Sequence, residues 1–285
     1  MIACRQNWNP GFFETSSLFD PIAPLARKLA ASHPRDWPDL HDYQALLDST
    51  RGIVSTESGA VCQFVNQGAR PGRFEQRYEP RIFLSGEIQT RLRNWHDFFQ
   101  VLVWCLFPAT KLRLNKLHFE AAGRRYHAAS EQPNRSSVEN AVTLFDECGA
   151  VVLSSSPTLL ELVRDHDWKR LFWERRAELS RHLHCCLFGH ALYEKSLRPY
   201  PGLTAHALLV PAATDFHEWA HEKRIAFIDR TMAGIFSRPH EDITTAMFSP
   251  FPLLGMPGSC AENGNESYYD NTDYFRPRRV AGGES

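Results

Sequence analysis

The sequence predicts an α+β fold, predominantly helical, in a single domain with short β-hairpins and an extended C-terminal tail. Apolar residues recur with helical spacing over long stretches, whereas strand-like alternation is confined to short runs. The 285 residues, 43% of them hydrophobic, suffice for one large core. No internal repeat or linker divides the chain, so we expect one domain over residues 1–285. Its parts are a Pro-rich wrapping segment (1–52), a core (53–250) and an extended tail (251–285).

The first third of the chain predicts short elements. Five prolines surround two short helical patterns, at 22–31 and 39–47. Residues 60–66 alternate like a strand, as do residues 74–84, and Gly and Pro residues lie between them. We therefore expect a hairpin or a short meander in this region.

A central helix is predicted to begin at Asn94, whose side chain can cap it, with Asp97 three residues on. This helix is apolar nearly all round, which indicates a central position. Pro108 suits the first turn of the next helix, and His118 falls on the apolar face of that helix. His96 and Asp97 are adjacent and must diverge on a helix, so we expect no dyad and no cavity role for His96.

The second half of the chain alternates between the two classes of element. Residues 141–154 alternate on either side of Asp146-Glu147-Cys148-Gly149, which predicts strand, turn and strand. The further predicted elements, in order, are helices over 157–182 and 190–197, a strand over 204–210 and an amphipathic helix over 215–236.

Composition excludes several classes of protein. Lys and Arg number 32 against 33 Asp and Glu, so no net charge favours nucleic acid, which we consider an unlikely partner. The longest apolar stretch, Phe98–Phe107, is too short to cross a bilayer, and the N-terminus lacks the features of a signal peptide. Seven cysteines without a CxxC pair indicate reduced thiols, and hence the cytoplasm. No phosphate-binding or dinucleotide-binding fingerprint is present, so no nucleotide cofactor is expected.

Several short motifs are specific in combination. They include Tyr78-Glu79-Pro80-Arg81-Ile82, Asn94-Trp95-His96-Asp97, Leu144-Phe145-Asp146-Glu147, Phe188-Gly189-His190-Ala191-Leu192-Tyr193-Glu194-Lys195, Gly202-Leu203-Thr204-Ala205-His206 and Leu254-Gly255-Met256-Pro257-Gly258. With these motifs, the stretch from Tyr78 to Phe275 resembles an uncharacterised proteobacterial family, catalogued as domain of unknown function 3025. The resemblance implies a bacterial protein but no particular activity, fold or cofactor.

Histidines and acidic residues concentrate in the same segments. His190 and Glu194 lie four residues apart and share one face of a helix, where they can hold one divalent cation. His206 follows a Pro-Gly turn that can fold it back toward His190, and His118 comes from another helix. His118, His190, Glu194 and His206 are therefore candidate ligands of zinc, iron or manganese.

Two carboxylates complete the predicted site. Asp146 and Glu147 occupy the predicted hairpin turn, where Asp is common for structural reasons alone. In the functional interpretation, Asp146 supplies a carboxylate and Glu147 is the general base that activates a metal-bound water. The leading hypothesis is a metal-dependent hydrolase, for which the sequence names no substrate; its partner is expected to be a small molecule or a protein, and no membrane.

Two alternatives remain open. In the first, the protein is a non-catalytic cytoplasmic binding module whose histidines and carboxylates form a buried structural network. In the second, His217-Glu218-Trp219-Ala220-His221 is the H-E-x-x-H motif of a zinc peptidase. Charged neighbours surround this motif, so we expect it to be accidental, with both histidines on the solvent-facing side of the 215–236 helix.

Overall fold

The computed structural model describes residues 6–68, 72–127 and 134–278, and within them the fold is α+β and mostly helical. The helices of this part of the chain are α1 (Ala23–Ser32), α2 (Leu40–Arg51), α3 (Tyr78–Ser85), α4 (Trp95–Leu106), α5 (Pro108–His127), α6 (Ser137–Cys148), α7 (Pro157–Asp165), α8 (Arg176–His182), α9 (His190–Ser196) and α10 (His221–Ile235). The strands are β1 (Gln63–Asn66), β2 (Glu87–Thr90), β3 (Gly149–Ser154), β4 (Leu183–Leu187), β5 (Thr204–Pro211) and β6 (Ser249–Pro252).

The larger sheet has the strand order β4-β3-β5-β6. Strand β3 pairs parallel with β5 and antiparallel with β4, while β6 is antiparallel to β5. Every residue of β3 is buried, as expected for a central strand covered on both faces. The smaller sheet is the parallel pair of β1 and β2.

Helix α4 is the centre of the helical layer. The Asn94 side chain accepts a hydrogen bond from the Asp97 backbone N–H at 3.0 Å, so the predicted N-cap is confirmed. Every residue of α4 except His96 is buried. Aromatic rings of the N-terminal segment pack on it, with Phe12 5.1 Å from Trp95 between ring centroids. The apolar character of α4 on all sides is therefore explained by partners on all sides.

The predicted hairpin over 141–154 is wrong. Ser136 caps a helix, and the buried residues Val138, Val142 and Phe145 follow with helical spacing. The alternation seen in the sequence covers only four residues, and the longer helical period prevails. The carboxylates of Asp146 and Glu147 consequently lie in the last turn of α6 and not at a hairpin tip.

Two further predictions of local structure also change. Residues 74–84 form a short turn and most of α3 instead of a strand, so β1 pairs with β2. An antiparallel bridge between Ser55 and Val61 closes the short hairpin that precedes β1. Among the described residues, none of the helices is long and apolar enough to cross a membrane.

Gly189 allows α9 to begin directly against the end of α6. Its backbone N–H donates to the carbonyl of Gly149 at 2.8 Å. A Cβ at position 189 would lie 2.4 Å from the backbone oxygen of Glu147 and 2.6 Å from the nitrogen of Cys148. Only glycine fits this approach, because real Cβ atoms do not come so close to backbone atoms.

We predict that Gly189→Ala lowers the free energy of unfolding by about 3 kcal/mol, because the contact is with backbone that cannot move aside. The matched control is Gly234→Ala in α10, where an added Cβ meets nothing within 4 Å. This control should raise stability by about 0.5–1 kcal/mol. Urea unfolding followed by circular dichroism measures both changes, and equal stability of the two variants would contradict the prediction.

Candidate functional site

A polar cavity of about 400 Å³ lies among α3, α4, α5, α6 and the start of α9. Its lining includes His96, Lys111, Asp146 and His190. The cavity is therefore assembled from four successive helices and from α9, which comes about 40 residues after α6.

Two histidines meet at one side of this cavity. The Nε2 atoms of His96 and His190 are 2.9 Å apart, and the ring planes are nearly perpendicular, at 85°. His96 is the second residue of α4, and His190 is the first residue of α9. Since both nitrogens face each other, a proton or a cation must lie between them.

A carboxylate faces the outer nitrogen of each histidine. Glu194 Oε2 is 2.9 Å from His96 Nδ1, and Asp146 Oδ2 is 3.7 Å from His190 Nδ1. The hydrogen bond from His96 lowers the pKa of Glu194 below its ordinary value. Burial lowers the pKa of His190 to about 4, so this imidazole is neutral near pH 7. The four side chains form a row from Glu194 to Asp146, hydrogen-bonded except for the last step of 3.7 Å, which we call the histidine relay.

A buried ion pair borders the relay. Lys111 Nζ donates to Asp146 Oδ1 at 2.6 Å and lies 5.2 Å from the centre of the Trp104 ring. Burial alone would raise the pKa of Asp146, but the charge of Lys111, with smaller contributions from nearby histidines, holds it below its ordinary value. Asp146 therefore stays ionised beside His190.

Unpartnered polar atoms are concentrated in the same cavity. The described residues contain five buried side-chain nitrogen or oxygen atoms without a hydrogen-bond partner, and four of these belong to residues that line it. They are the Tyr78 hydroxyl, Trp104 Nε1, Asn115 Oδ1 and His190 Nδ1. Buried polar groups in native proteins are almost always satisfied, so these atoms point to a ligand or ordered water.

Most of the sequence-predicted site residues lie around this cavity. His190 and Asp146 are adjacent, while Glu194 contacts His96 instead of His190. His118 lines the cavity, but its Nε2 is 2.8 Å from the Thr143 hydroxyl. Glu147 is exposed at the rim.

His206 does not join the site. It lies in β5 opposite Gly149 of β3, and its ring is 6.5 Å from that of Phe248. Its side chain lines a second cavity, of about 570 Å³, together with His166 and Trp168. His206 thus lines a different cavity from His190, because the Pro-Gly turn leads directly into β5.

His96 is a site residue that the sequence does not predict. Adjacent residues on a helix do diverge, since Asp97 binds Arg91 at 2.7 Å while His96 faces His190. This divergence does not exclude His96 from a site. Once Asp97 is assigned to the cap, His96 is directed to the other side of α4, and this signal was present in the sequence.

The H-E-x-x-H motif does not lie on one helix. Trp219 and Ala220 have extended backbone angles, with ψ of 145° and 149°, and α10 begins only at His221. His217 and His221 are half-buried, which corrects the expectation that both face solvent on one helix. A zinc peptidase needs two histidines one turn apart on one helix face, and this segment lacks that arrangement.

In the described ranges, no group of three or more His, Cys, Asp or Glu side chains is arranged to hold a metal ion. Any cation at the histidine relay would therefore have two protein ligands, His96 and His190. Its remaining ligands would be water or substrate.

Fold and site together define a mostly helical α+β protein with a buried histidine–carboxylate cavity. A family model described as "Protein of unknown function (DUF3025)" matches residues 62–279, and the chain belongs to this family, as its motifs predicted. The matched region contains every residue that lines the cavity. No curated protein and no solved structure matches the chain.

We predict that His190 makes stability depend on pH. In the unfolded chain its pKa is about 6.5, whereas burial lowers it to about 4 in the native state. The unfolded chain thus binds the proton first, and His190 costs on the order of 3 kcal/mol of stability as the pH falls from about 6.5 to 4. In His190→Gln this part of the loss should disappear.

Urea unfolding at pH 7 and at pH 4.5 measures the loss for the wild type, His190→Gln and Gly234→Ala. The Gly234→Ala control changes no titratable group, so its loss should equal that of the wild type. An equal loss in His190→Gln would show that His190 is not held neutral.

Proposed function

We propose that this protein is a hydrolase that activates water at the histidine relay. The single observation that carries the proposal is the row Glu194–His96–His190–Asp146, which runs from half-buried Glu194 and His96 to buried His190 and borders a cavity with unpartnered polar atoms. Perturbed titratable groups that converge in a cleft are typical of catalytic sites. The substrate would be a small polar molecule, because the cavity measures about 400 Å³.

The relay can accept and return one proton. In the proposed resting state, His96 Nδ1–H donates to Glu194 and one further proton lies between the two Nε2 atoms, so that His190 Nδ1 carries no proton. When His190 Nδ1 takes a proton from water, the shared proton moves to His96 Nε2, and the positive charge comes to lie beside Glu194. Because the positive charge ends on His96, the buried His190 does not have to carry it, although burial lowers the pKa of His190.

Asp146 connects the relay to the cavity. Its Oδ2 lies 3.7 Å from His190 Nδ1, and its side chain is 16% exposed. The carboxylate would orient a water for transfer to Nδ1, while Lys111 keeps it ionised. The proton returned from the relay would then protonate the leaving group, so that His190 serves as base and acid in turn.

We predict that His190→Gln, His96→Gln and Asp146→Asn each lower kcat by about 100-fold or more, since a positioned acid–base group contributes roughly 10²–10⁴ in rate. The assay is hydrolysis of a panel of chromogenic esters, phosphoesters and amides. Glu194→Gln, which acts through His96, should also shift the pH profile of kcat. The matched control, His206→Gln, changes a half-buried histidine outside the cavity and should leave kcat within about twofold of the wild type.

The binding-module alternative predicts a loss of stability, and not of activity, in two of these variants. A purely structural network would lower Tm in His190→Gln and Asp146→Asn. Site residues built for function, when replaced, leave stability unchanged or raise it. Lowered Tm in both variants, with no hydrolysis of the panel by the wild type, would favour the module.

A metal-dependent hydrolase is the second candidate. Two nitrogens bound to one cation at about 2.0–2.1 Å lie about 2.9 Å apart at a right angle, as in octahedral sites, and about 3.3 Å apart at the tetrahedral angle of zinc. The Nε2 atoms of the pair are 2.9 Å apart, a distance that an N–H···N hydrogen bond also gives. The carboxylates of Glu194 and Asp146 face the outer ring nitrogens, as is common for metal-bound histidines. Zinc, iron and manganese remain the candidates, with His96 in place of His118 and His206.

Elemental analysis of the purified protein tests this candidate. A metal-dependent enzyme would carry about one equivalent of a transition metal in the wild type and in His206→Gln, and much less in His96→Gln, where only one protein ligand would be left. Fewer than about 0.2 equivalents in the wild type would exclude a tightly bound metal and leave the proton relay.

The cytoplasm is the compartment we propose. The six cysteines in the described ranges are all unpaired, as is usual for thiols in a reducing compartment.

A further inference from the structure

We infer that the part of the cavity lined by Trp104 and Asn115, which we call its floor, is a subsite for an uncharged group. Such a group donates and accepts hydrogen bonds at once, and a carboxamide is the simplest example. This inference names the substrate class for the proposed function, and it rests on that function only in taking the cavity as the place of the substrate. The observation that carries it is a fixed donor and a fixed acceptor, both buried and both unpartnered.

Asn115 provides the acceptor. Its side chain is 3% exposed, and its Nδ2 donates to the backbone oxygen and to Oε2 of Glu79, at 2.9 and 2.7 Å. These two bonds fix the orientation of the amide, because a flipped amide would place its oxygen against two acceptors. Asn115 Oδ1 is thereby left without a donor.

Trp104 provides the donor. Only 1% of this residue is exposed, and its Nε1–H has no acceptor. The Tyr78 hydroxyl, which lies near Gln100, is a third group of this cavity without a well-formed hydrogen bond. An indole can only donate and a fixed amide oxygen can only accept, so the two groups require different atoms of one ligand.

Two of the cations that line the cavity are already paired with carboxylates, and the Glu79 carboxylate accepts from Asn115. Lys111 contacts Asp146 at 2.6 Å, and Arg91 contacts Asp97 at 2.7 Å. A carboxylate ligand would face the free oxygen of Asn115, and an ammonium ligand would face the indole N–H and Lys111. An uncharged amide meets neither conflict, because its oxygen suits Trp104 and its N–H suits Asn115.

The experiment uses the full chain with ¹⁵N-labelled tryptophan. The seven tryptophans give seven indole N–H signals, and Trp104→Phe assigns the signal of Trp104. Acetamide is titrated against acetate and methylammonium, with dissociation constants on the order of 1–100 mM expected for such small probes. We expect acetamide to shift the Trp104 signal saturably, and both ions to bind at least about tenfold more weakly.

Two controls make the result specific. Trp168 lines the second cavity and already donates to the Arg276 carbonyl at 2.8 Å, so its signal should stay in place. Asn115→Leu removes the acceptor at similar size and should abolish the acetamide shift, while the other indole signals report whether the variant is folded. Where it does not fold, the selectivity among the three probes in the wild type decides.

The outcomes separate this inference from the proposed function. The variant His190→Gln should lose hydrolysis yet keep acetamide binding, since His190 contributes neither the donor nor the acceptor. Binding by a wild type that hydrolyses nothing would refute the hydrolase and leave the subsite. No saturable shift, or equal shifts with all three probes, would overturn the subsite and assign the floor to water alone.

Discussion

The backbone contact between Gly189 and the end of α6 sets the geometry of the whole cavity. Because position 189 has no side chain, α9 begins against the last carbonyls of α6, and His190 arrives beside Asp146. The same start directs Glu194, one helical turn later, toward His96 on α4. One close approach thus aligns three helices, and the relay is a consequence of helix packing.

The cavity carries a cost that the core must offset. A buried donor or acceptor without a partner costs about 1–3 kcal/mol, and four such atoms belong to residues lining this one cavity. The core that offsets them is large and aromatic, with α4 buried on all sides and β3 buried along its full length. Polar atoms left unsatisfied inside a well-packed protein are typical of sites kept for a ligand.

Local rules of sequence reading identified much of the fold and part of the site. Capping chemistry located the start of α4, and the i, i+4 spacing brought attention to His190 and Glu194. Helix α6 is not predicted, because four residues within its helical period of 138–145 also alternate like a strand. The position of His206 is not predictable either, because a turn signal shows that the chain changes direction but not where it goes.

The separation of the two histidines along the chain affects how the protein is made. His96 and His190 are 94 residues apart, and translation at about 5–20 residues per second separates their synthesis by roughly 5–20 s. During this interval α4 has left the ribosome without α9, one of the helices that cover it. An apolar helix that stays uncovered for this long exposes the kind of surface that chaperones bind. The price of a site assembled from distant segments is therefore a vulnerable period during synthesis, which ends when α9 is made.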